Sequence, residues 1–432
     1  MSALLKSPQD WISEFERSGK GLPGYATLRR DAIERFAALG FPTGREEAWR
    51  FTDLQPFLDT AFRAVPGTAN PGQLAAVAKG PLKACQVAFV DGRYAPAFSS
   101  LDLPPGVRVT SLATVLKEDP RRAEPFLGRR TKLDGQPFAA LNTAFMSDGA
   151  FVHVDRDVRL TQPIHVLFLS SFHGDPYATF PRLLVVLEQG ASATVVESYL
   201  GPAGGTYFTC AVTEADLAEG SVLELTKVQR ESREAFHVAA VDARLARSAT
   251  LTHHSVSFGG RLARNEIGGA LAGEGADLSL NGLFEVGGTQ LSVHHTAIDH
   301  ASPNTTSREL YKGVLDGRGR GVFDGRILVR PGAQKISAMQ SSKNLLLSSE
   351  ALVHTKPQLE IFANDVKCKH GATIGQLDQD MLFYMRSRGL AEAEARRLLV
   401  HAFASEIVDR IKVEGVRAQV GGCLGMMLAG AA

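Results

Sequence analysis

The feature that most constrains this chain is a recurring tight turn. Glu188-Gln-Gly-Ala191, Ala218-Glu-Gly-Ser221, Ala246-Arg-Ser-Ala249, Gly273-Glu-Gly-Ala276 and Arg330-Pro-Gly-Ala333 share one style, and a β-rich run follows several of them. With Gly190, Gly220, Ser248 and Gly275 as markers, the steps are 30, 28 and 27 residues. A strand-bearing unit recurring at this spacing cannot bury its inner face alone, so successive units must stack. The expected fold is mainly β, a right-handed parallel β-helix, with a two-layer sandwich or jelly roll as the alternative. The runs expected to be strands include Val152-His-Val154, Ile164-His-Val-Leu-Phe-Leu169, Leu183 to Glu188, Thr194 to Tyr199, Val222 to Val228 and Ala249 to Val256.

The texture differs on either side. Trp11, Ile12, Phe15 and then Ala32, Ile33, Phe36, Leu39 fall at helical spacing, so residues 1–64 read as a helical region. Residues 65–137 read as a small mixed lead-in. It contains a turn-rich linker at Pro66 to Gly72, a strand and turn at Gln86 to Tyr94, and a short helix from Leu112 to about Phe126. The β-helix occupies 138–377, and 378–432 is again helical, opened by Asp378 as an N-cap and interrupted by Gly389. From Leu390 to Ile411, Leu399, Ala402, Phe403, Ile407 and Ile411 form an apolar stripe. The flanking helices read as caps on the open ends of the coil, and Gly421-Gly-Cys-Leu-Gly-Met-Met-Leu428 as a frayed or partner-facing tail.

Composition excludes several classes. Lys plus Arg 47 against Asp plus Glu 46 gives no basic footprint for nucleic acid or anionic membrane. No segment approaches the roughly 18 apolar residues of a membrane span, and the first residues lack an apolar signal core. Cys85, Cys210, Cys368 and Cys423 form no CxxC pair and no disulfide framework, so a reducing cytoplasm is expected. Cys85 reads as a buried small hydrophobe, and Cys423, among glycines, as a passive or accessible thiol. There is no phosphate-binding loop, because Ser18-Gly-Lys-Gly21 lacks the first glycine and the hydroxyl after lysine, and no nucleophile elbow.

Metal chemistry has one specific candidate. Cys368 and His370 stand two apart in an apparent strand, so both side chains share a face. A thiolate and an imidazole suit iron–sulfur or zinc, yet two donors leave a tetrahedral site unfinished. A second histidine group, His294, His295 and His300, does not chelate one ion from a strand, because alternation sends His294 and His295 to opposite faces. It reads as a polar ladder inside the coil or a subunit contact, and His253-His254 likewise. A β-helix carbohydrate enzyme would need paired acids, for which Asp316, Asp324, Glu285 and Asp299 are the candidates.

Asn364-Asp-Val-Lys-Cys-Lys-His-Gly-Ala-Thr373, followed by Phe383-Tyr-Met-Arg-Ser-Arg-Gly-Leu390, resembles the end of the core in the SufB/SufD family of iron–sulfur cluster assembly scaffolds. It favours the SufD branch, since SufB sequences end in a Leu-Glu-His-Glu-Ala type segment here. Gly44-Arg-Glu-Glu-Ala-Trp-Arg-Phe-Thr-Asp53 resembles an element near the start of the same family; read on its own it is a structural tie with Trp49 and Phe51 in the core. The resemblance implies a β-helix and a scaffold without turnover of its own. His370 would be a ligand for a nascent, transient Fe–S cluster shared with a SufB-like partner, with Cys368 a less certain second. It implies that a SufC-like ABC ATPase docks on the C-terminal helices, where Arg396, Arg397 and Glu406 are candidate contacts. A SufB-like homodimeric form is the rival within the family, a homodimer in isolation stays open, and so does participation of a flavin.

Overall fold

In the computed structural model, residues 4–18, 24–64, 74, 82, 84–171 and 174–424 are described. The Pro66–Gly72 linker and most of the Ser18–Gly21 stretch lie outside them. Two ten-stranded sheets face each other. The first runs β2 (Arg93–Tyr94), β1 (Cys85–Val90), β5 (Ile164–Leu169), β8 (Ser192–Leu200), β10 (Val222–Arg230), β12 (Thr250–Ser257), β14 (Asp277–Val286), β16 (Thr306–Leu315), β18 (Ile336–Leu346) and β20 (Val366–Gln376). The second runs β3 (Val107–Ser111), β4 (Ala150–Val154), β7 (Arg182–Leu187), β9 (Tyr207–Leu217), β11 (Phe236–Leu245), β13 (Leu262–Leu271), β15 (Leu291–His300), β17 (Arg320–Val329) and β19 (Leu352–Ile361), with β6 (Tyr177–Thr179) also on β9.

Among the described strands only β1–β2 and β3–β4 pair antiparallel; from β7 onward each coil's strands bond in parallel to those of the next. The result is a parallel β-solenoid of about 8 turns, not a sandwich of antiparallel sheets. Each coil holds two long strands. The sequence markers flag one corner per coil, and strands such as β11 and β13, rich in alanine and glycine, carry a weak strand signature. Strands β1, β2 and β3, from the lead-in, join both sheets at the starting end.

The marker residues explain the spacing. Asp157, Gly190, Gly220, Ser248, Gly275, Asn304 and Lys335 all adopt left-handed backbone, with φ between 55° and 72°. The N–H of Gly190 donates to Glu219 O, that of Gly220 to Arg247 O, and that of Ser248 to Glu274 O, each at 2.9 Å. Each corner thus bonds to the residue just before the next corner, and the turns form a ladder of their own. Left-handed backbone is favourable for glycine and costs other residues roughly 1 kcal/mol.

Aliphatic rows fill the interior, from Val87 and Val166 through Leu225 and Leu280 to Ala338. Burying each valine or leucine side chain stabilises the coil by roughly 1.5–3 kcal/mol. Between these rows lie polar groups. Lys227 Nζ sits 2.8 Å from His237 Nε2 and 2.6 Å from Asn265 Oδ1, and His237 Nδ1 is 2.7 Å from Glu231 Oε2. Burial lowers Lys227 to about 8.

Helices stand at both ends of the chain, yet they pack sideways rather than over the last coil. Pro8–Ser18, Ala26–Leu39 and Pro137–Phe145 cover the outer face of the second sheet, with Trp11, Phe36, Trp49 and Phe138 against Phe208, Phe236, Leu262 and Val322. Glu392–Val408 and Glu414–Cys423 cover the first sheet, with Ala404, Ile407, Val416 and Val420 against Val196, Val228, Val256 and Leu283. The stripe expected on the former is rotated: Ala402 is exposed, while Ala395, Val400 and Ala404 are buried. Of the expected tail, Gly421 to Cys423 are helical, and residues 425–428 lie outside the described ones. No described helix is long and apolar enough to cross a membrane.

Two outcomes follow. A Cβ at Gly190 would lie 2.2 Å from Asp157 Oδ1, whereas at Gly220 nothing lies within 4 Å. Gly190→Ala should therefore cost about 2–3 kcal/mol and Gly220→Ala about 1 kcal/mol, read from urea midpoints. His253 is fully buried with neither ring nitrogen paired, and burial drives it from 6.5 to about 3. The unfolded chain then takes up the proton first, so stability falls as pH drops from about 6.5 towards 3. His253→Leu should flatten that fall by about 1.4 kcal/mol per pH unit in urea titrations between pH 6 and 4.

Candidate metal-ligand site

The final strand, β20, pairs with β18 along its whole length, with Ala338 opposite Cys368 and Gln340 opposite His370. Among the described residues no strand lies beyond it in the sheet, and none lies beyond β19 in the other. Alternation along β20 sends Val366 and Cys368 inward onto the core, and His370 shares their face. Because no coil covers this face, Cys368 is half-buried and His370 exposed. Two residues of strand separate their Cα atoms by about 6.6 Å. The expected pair therefore stands together on one face, at the open end of the solenoid.

Burial holds the Cys368 thiol above its ordinary value, offset in part by a backbone hydrogen bond with Ala338. At neutral pH the sulfur keeps its proton until a metal displaces it, as metal coordination does to thiols. The donor set fits a soft metal in kind and falls short in number, since tetrahedral iron or zinc takes four ligands. One trio among the described residues, His153, Asp155 and Glu188, brings ligand atoms within 4.8 Å of one another. Arg122 Nη1 stands 3.5 Å from both His153 Nδ1 and Asp155 Oδ1, so a fixed cation already occupies that neighbourhood.

The remaining histidines go where alternation sends them. His294 is inside, its ring 5.0 Å from that of Phe284, and His295 outside, 3.8 Å from Glu266. His300 is buried between Thr305 Oγ1 at 2.7 Å and Ser307 Oγ at 2.9 Å. Cys423 is buried, its sulfur 3.6 Å from Arg230 Nη1, and is not an accessible thiol. Cys85 is buried as expected.

The four acids weighed for carbohydrate chemistry do not converge. Glu285 faces outward from the first sheet, Asp316 lies in a corner, and on the second sheet Asp299 is held by Arg330 and Asp324 by Gln358.

The sequence did not suggest where the Glu47 to Thr52 element docks. Trp49 is core, beneath the Arg264 guanidinium at 3.7 Å, whose Nη1 donates to Thr52 Oγ1 and Nη2 to Ala48 O, each at 3.0 Å. Phe51, expected in the core, is 41% exposed and stacks on His354 of β19 at 3.9 Å. The Glu47 to Thr52 element thus grips the outer face of the second sheet and reaches its last strand, where Glu47 also pairs with Lys356. On the C-terminal side, Asp378 caps Gln379–Ser387 by accepting from Asp380 N at 2.9 Å and Met381 N at 3.1 Å. That helix leaves Met381, Phe383 and Tyr384 exposed beside the end of β20, and Leu398 is exposed on the next helix. Arg396 and Glu406 are already engaged within the chain, Arg396 Nη2 with Leu347 O at 3.1 Å and Glu406 with Lys312 and Lys343, while Arg397 is exposed.

Comparison with known proteins agrees with this architecture. Residues 170–403 match the family described as SUF system FeS cluster assembly, SufBD core domain, and residues 21–166 match the SufBD protein N-terminal region. An iron–sulfur cluster assembly SufBD family protein of Synechocystis is 34% identical over 92% of this chain and 89% of its own. The iron–sulfur cluster assembly protein SufD of Escherichia coli is 31% identical over 98% and 97%, and a chloroplastic protein of Arabidopsis thaliana 27% identical over 96% and 88%. The solenoid is therefore that of a SufD-like chain, and the protein belongs to the SufBD family of iron–sulfur cluster assembly proteins.

Proposed function

We propose that this chain is a scaffold subunit without turnover of its own, contributing a partial ligand set to a nascent Fe–S cluster at a boundary with a second, SufB-like solenoid. The observation that carries the reading is the exposed imidazole of His370, with the half-buried thiol of Cys368, on the inward face of a last coil that nothing in the described chain covers. A partner whose own last coil meets β19 and β20 would bury both donors and supply the missing ligands. Under-ligation by either subunit alone keeps the product transferable, and burial keeps a labile cluster from water.

The C-terminal helices are the proposed seat of a SufC-like ATPase. Their solenoid-facing sides are filled by the first sheet, yet Met381, Phe383, Tyr384 and Leu398 remain exposed, more apolar surface than a solvated helix pair needs. Nucleotide-driven movement of that partner would then open or close the boundary between the two solenoids. In this reading the segments 1–64, 65–137, 138–377 and 378–432 serve as sheet cover, lead-in, solenoid and ATPase seat, and the protein works in the cytoplasm.

Co-expression with SufB-like and SufC-like partners, followed by anaerobic reconstitution with iron and sulfide, tests the assignment. His370→Ala should lower cluster absorbance per complex by about tenfold or more, and Cys368→Ala by less, with the complex intact on gel filtration. An unchanged spectrum and yield in the His370 variant would remove that residue from the site. Phe383→Asp should weaken ATPase retention by about tenfold or more while leaving the solenoid's melting temperature unchanged; undiminished retention would move the ATPase elsewhere.

A further inference from the structure

We infer that Gln340, backed by Glu309, is a positioning residue whose unpaired Oε1, one coil behind His370, is the acceptor that a ring N–H of that imidazole engages, which fixes which ring nitrogen is left to bind iron. The inference rests on the assignment of His370 as a donor. Glu309, Gln340 and His370 are consecutive register partners on the inner face of β16, β18 and β20. Gln340 is 2% exposed. Its Nε2 donates to Glu309 Oε1 at 3.3 Å, and Glu309 Oε2 accepts from Thr296 Oγ1 of the opposite sheet at 2.7 Å. The amide is therefore held from the coil behind it.

Space for that amide has been left on the facing strand. A Cβ at Gly325 would lie 2.3 Å from Gln340 Nε2, so a side chain there would displace it. The other end of the amide is the telling one: Gln340 Oε1 is buried and has no partner. A buried acceptor left unpaired is destabilising, so its neighbours decide whether that cost stands.

The oxygen and nitrogen of a primary amide diverge from one carbon, so with Nε2 taken by Glu309 the oxygen is left free to serve the next coil, about 4.8 Å away. On the inner face of β20 stand Val366, Cys368, His370, Ala372 and Ile374. Only the imidazole among these is a strong donor. Donation from one ring N–H to Gln340 Oε1 leaves the lone pair of the other nitrogen for the open end, the arrangement by which an outer partner sets a histidine ligand's tautomer and basicity.

The test is made on the full-length chain with histidine labelled in ¹⁵N. Long-range ¹H–¹⁵N spectra read the tautomer of each ring, and His370→Ala identifies the signal. The wild type should show one tautomer at His370. Gln340→Met, which keeps the volume and removes the acceptor, should relax it to the mixture of a free imidazole, and Gln340→Glu, which keeps an acceptor oxygen, should restore it. In the reconstituted complex Gln340→Met should lower iron retention by about tenfold. Circular dichroism melts establish that each variant is folded; if the Met variant is not, the Glu variant carries the test, since loss of the single tautomer there overturns the inference. A wild-type ring already in the free mixture, or a folded Gln340→Met with an unchanged tautomer, also overturns it. Full cluster yield in His370→Ala would instead overturn the donor assignment, whatever the tautomer spectra show.

Discussion

A parallel solenoid satisfies its backbone by bonding each coil to the next, and the last coil has no next. The N–H and C=O groups on the free edges of β19 and β20, with the inward side chains of both strands, are left to whatever lies beyond. Where many solenoids place a helix over such an edge, this chain spends its helices on the flanks of its two sheets. The consequence is a cross-section of the core laid open at one end, and the soft-donor pair stands in that section.

What prepares the open end is the order of the coils behind it. The corner ladder fixes register, because each left-handed residue bonds to the coil that follows, and a slip of one residue would turn every inward side chain outward. Register in turn places Ala338 under Cys368 and Gln340 under His370. The inner face of the first sheet mixes hydrocarbon with buried polar groups along its length, from Glu197, Lys227 and His253 in the earlier coils to Ser307, Glu309, Gln340, Ser342 and Asn344 near the exposed end.

Much of this was legible in residue order, for identifiable reasons. Strand β5 was readable because Ile164 to Leu169 is apolar but for His165, and the corners were readable because left-handed backbone selects glycine and small polar residues. His294 and His295 were separable because alternation along a strand is strict. Strand β13 was not readable, since Gly268 and Gly269 sit in it: a Cβ at Gly268 would meet Asp242 Oδ1 at 2.5 Å, and one at Gly269 would meet Leu278 Cδ2 at 2.4 Å. The helix ending at Cys423 was hidden by two glycines of poor helical propensity that packing overrides. Phe51 was misplaced because aromatic character says nothing of which neighbour a ring will find, and its partner His354 lies some 300 positions away.

By itself, then, the sequence determined the period, the corner chemistry and the shared face of Cys368 and His370, all of which follow from local backbone geometry. Only the tertiary structure decided that the flanking helices would leave the last coil bare, that Glu47 to Thr52 would grip the opposite sheet, and that an unpaired amide oxygen would sit one coil below the imidazole. Those outcomes depend on which surfaces meet across long separations in the chain, and no local periodicity encodes them.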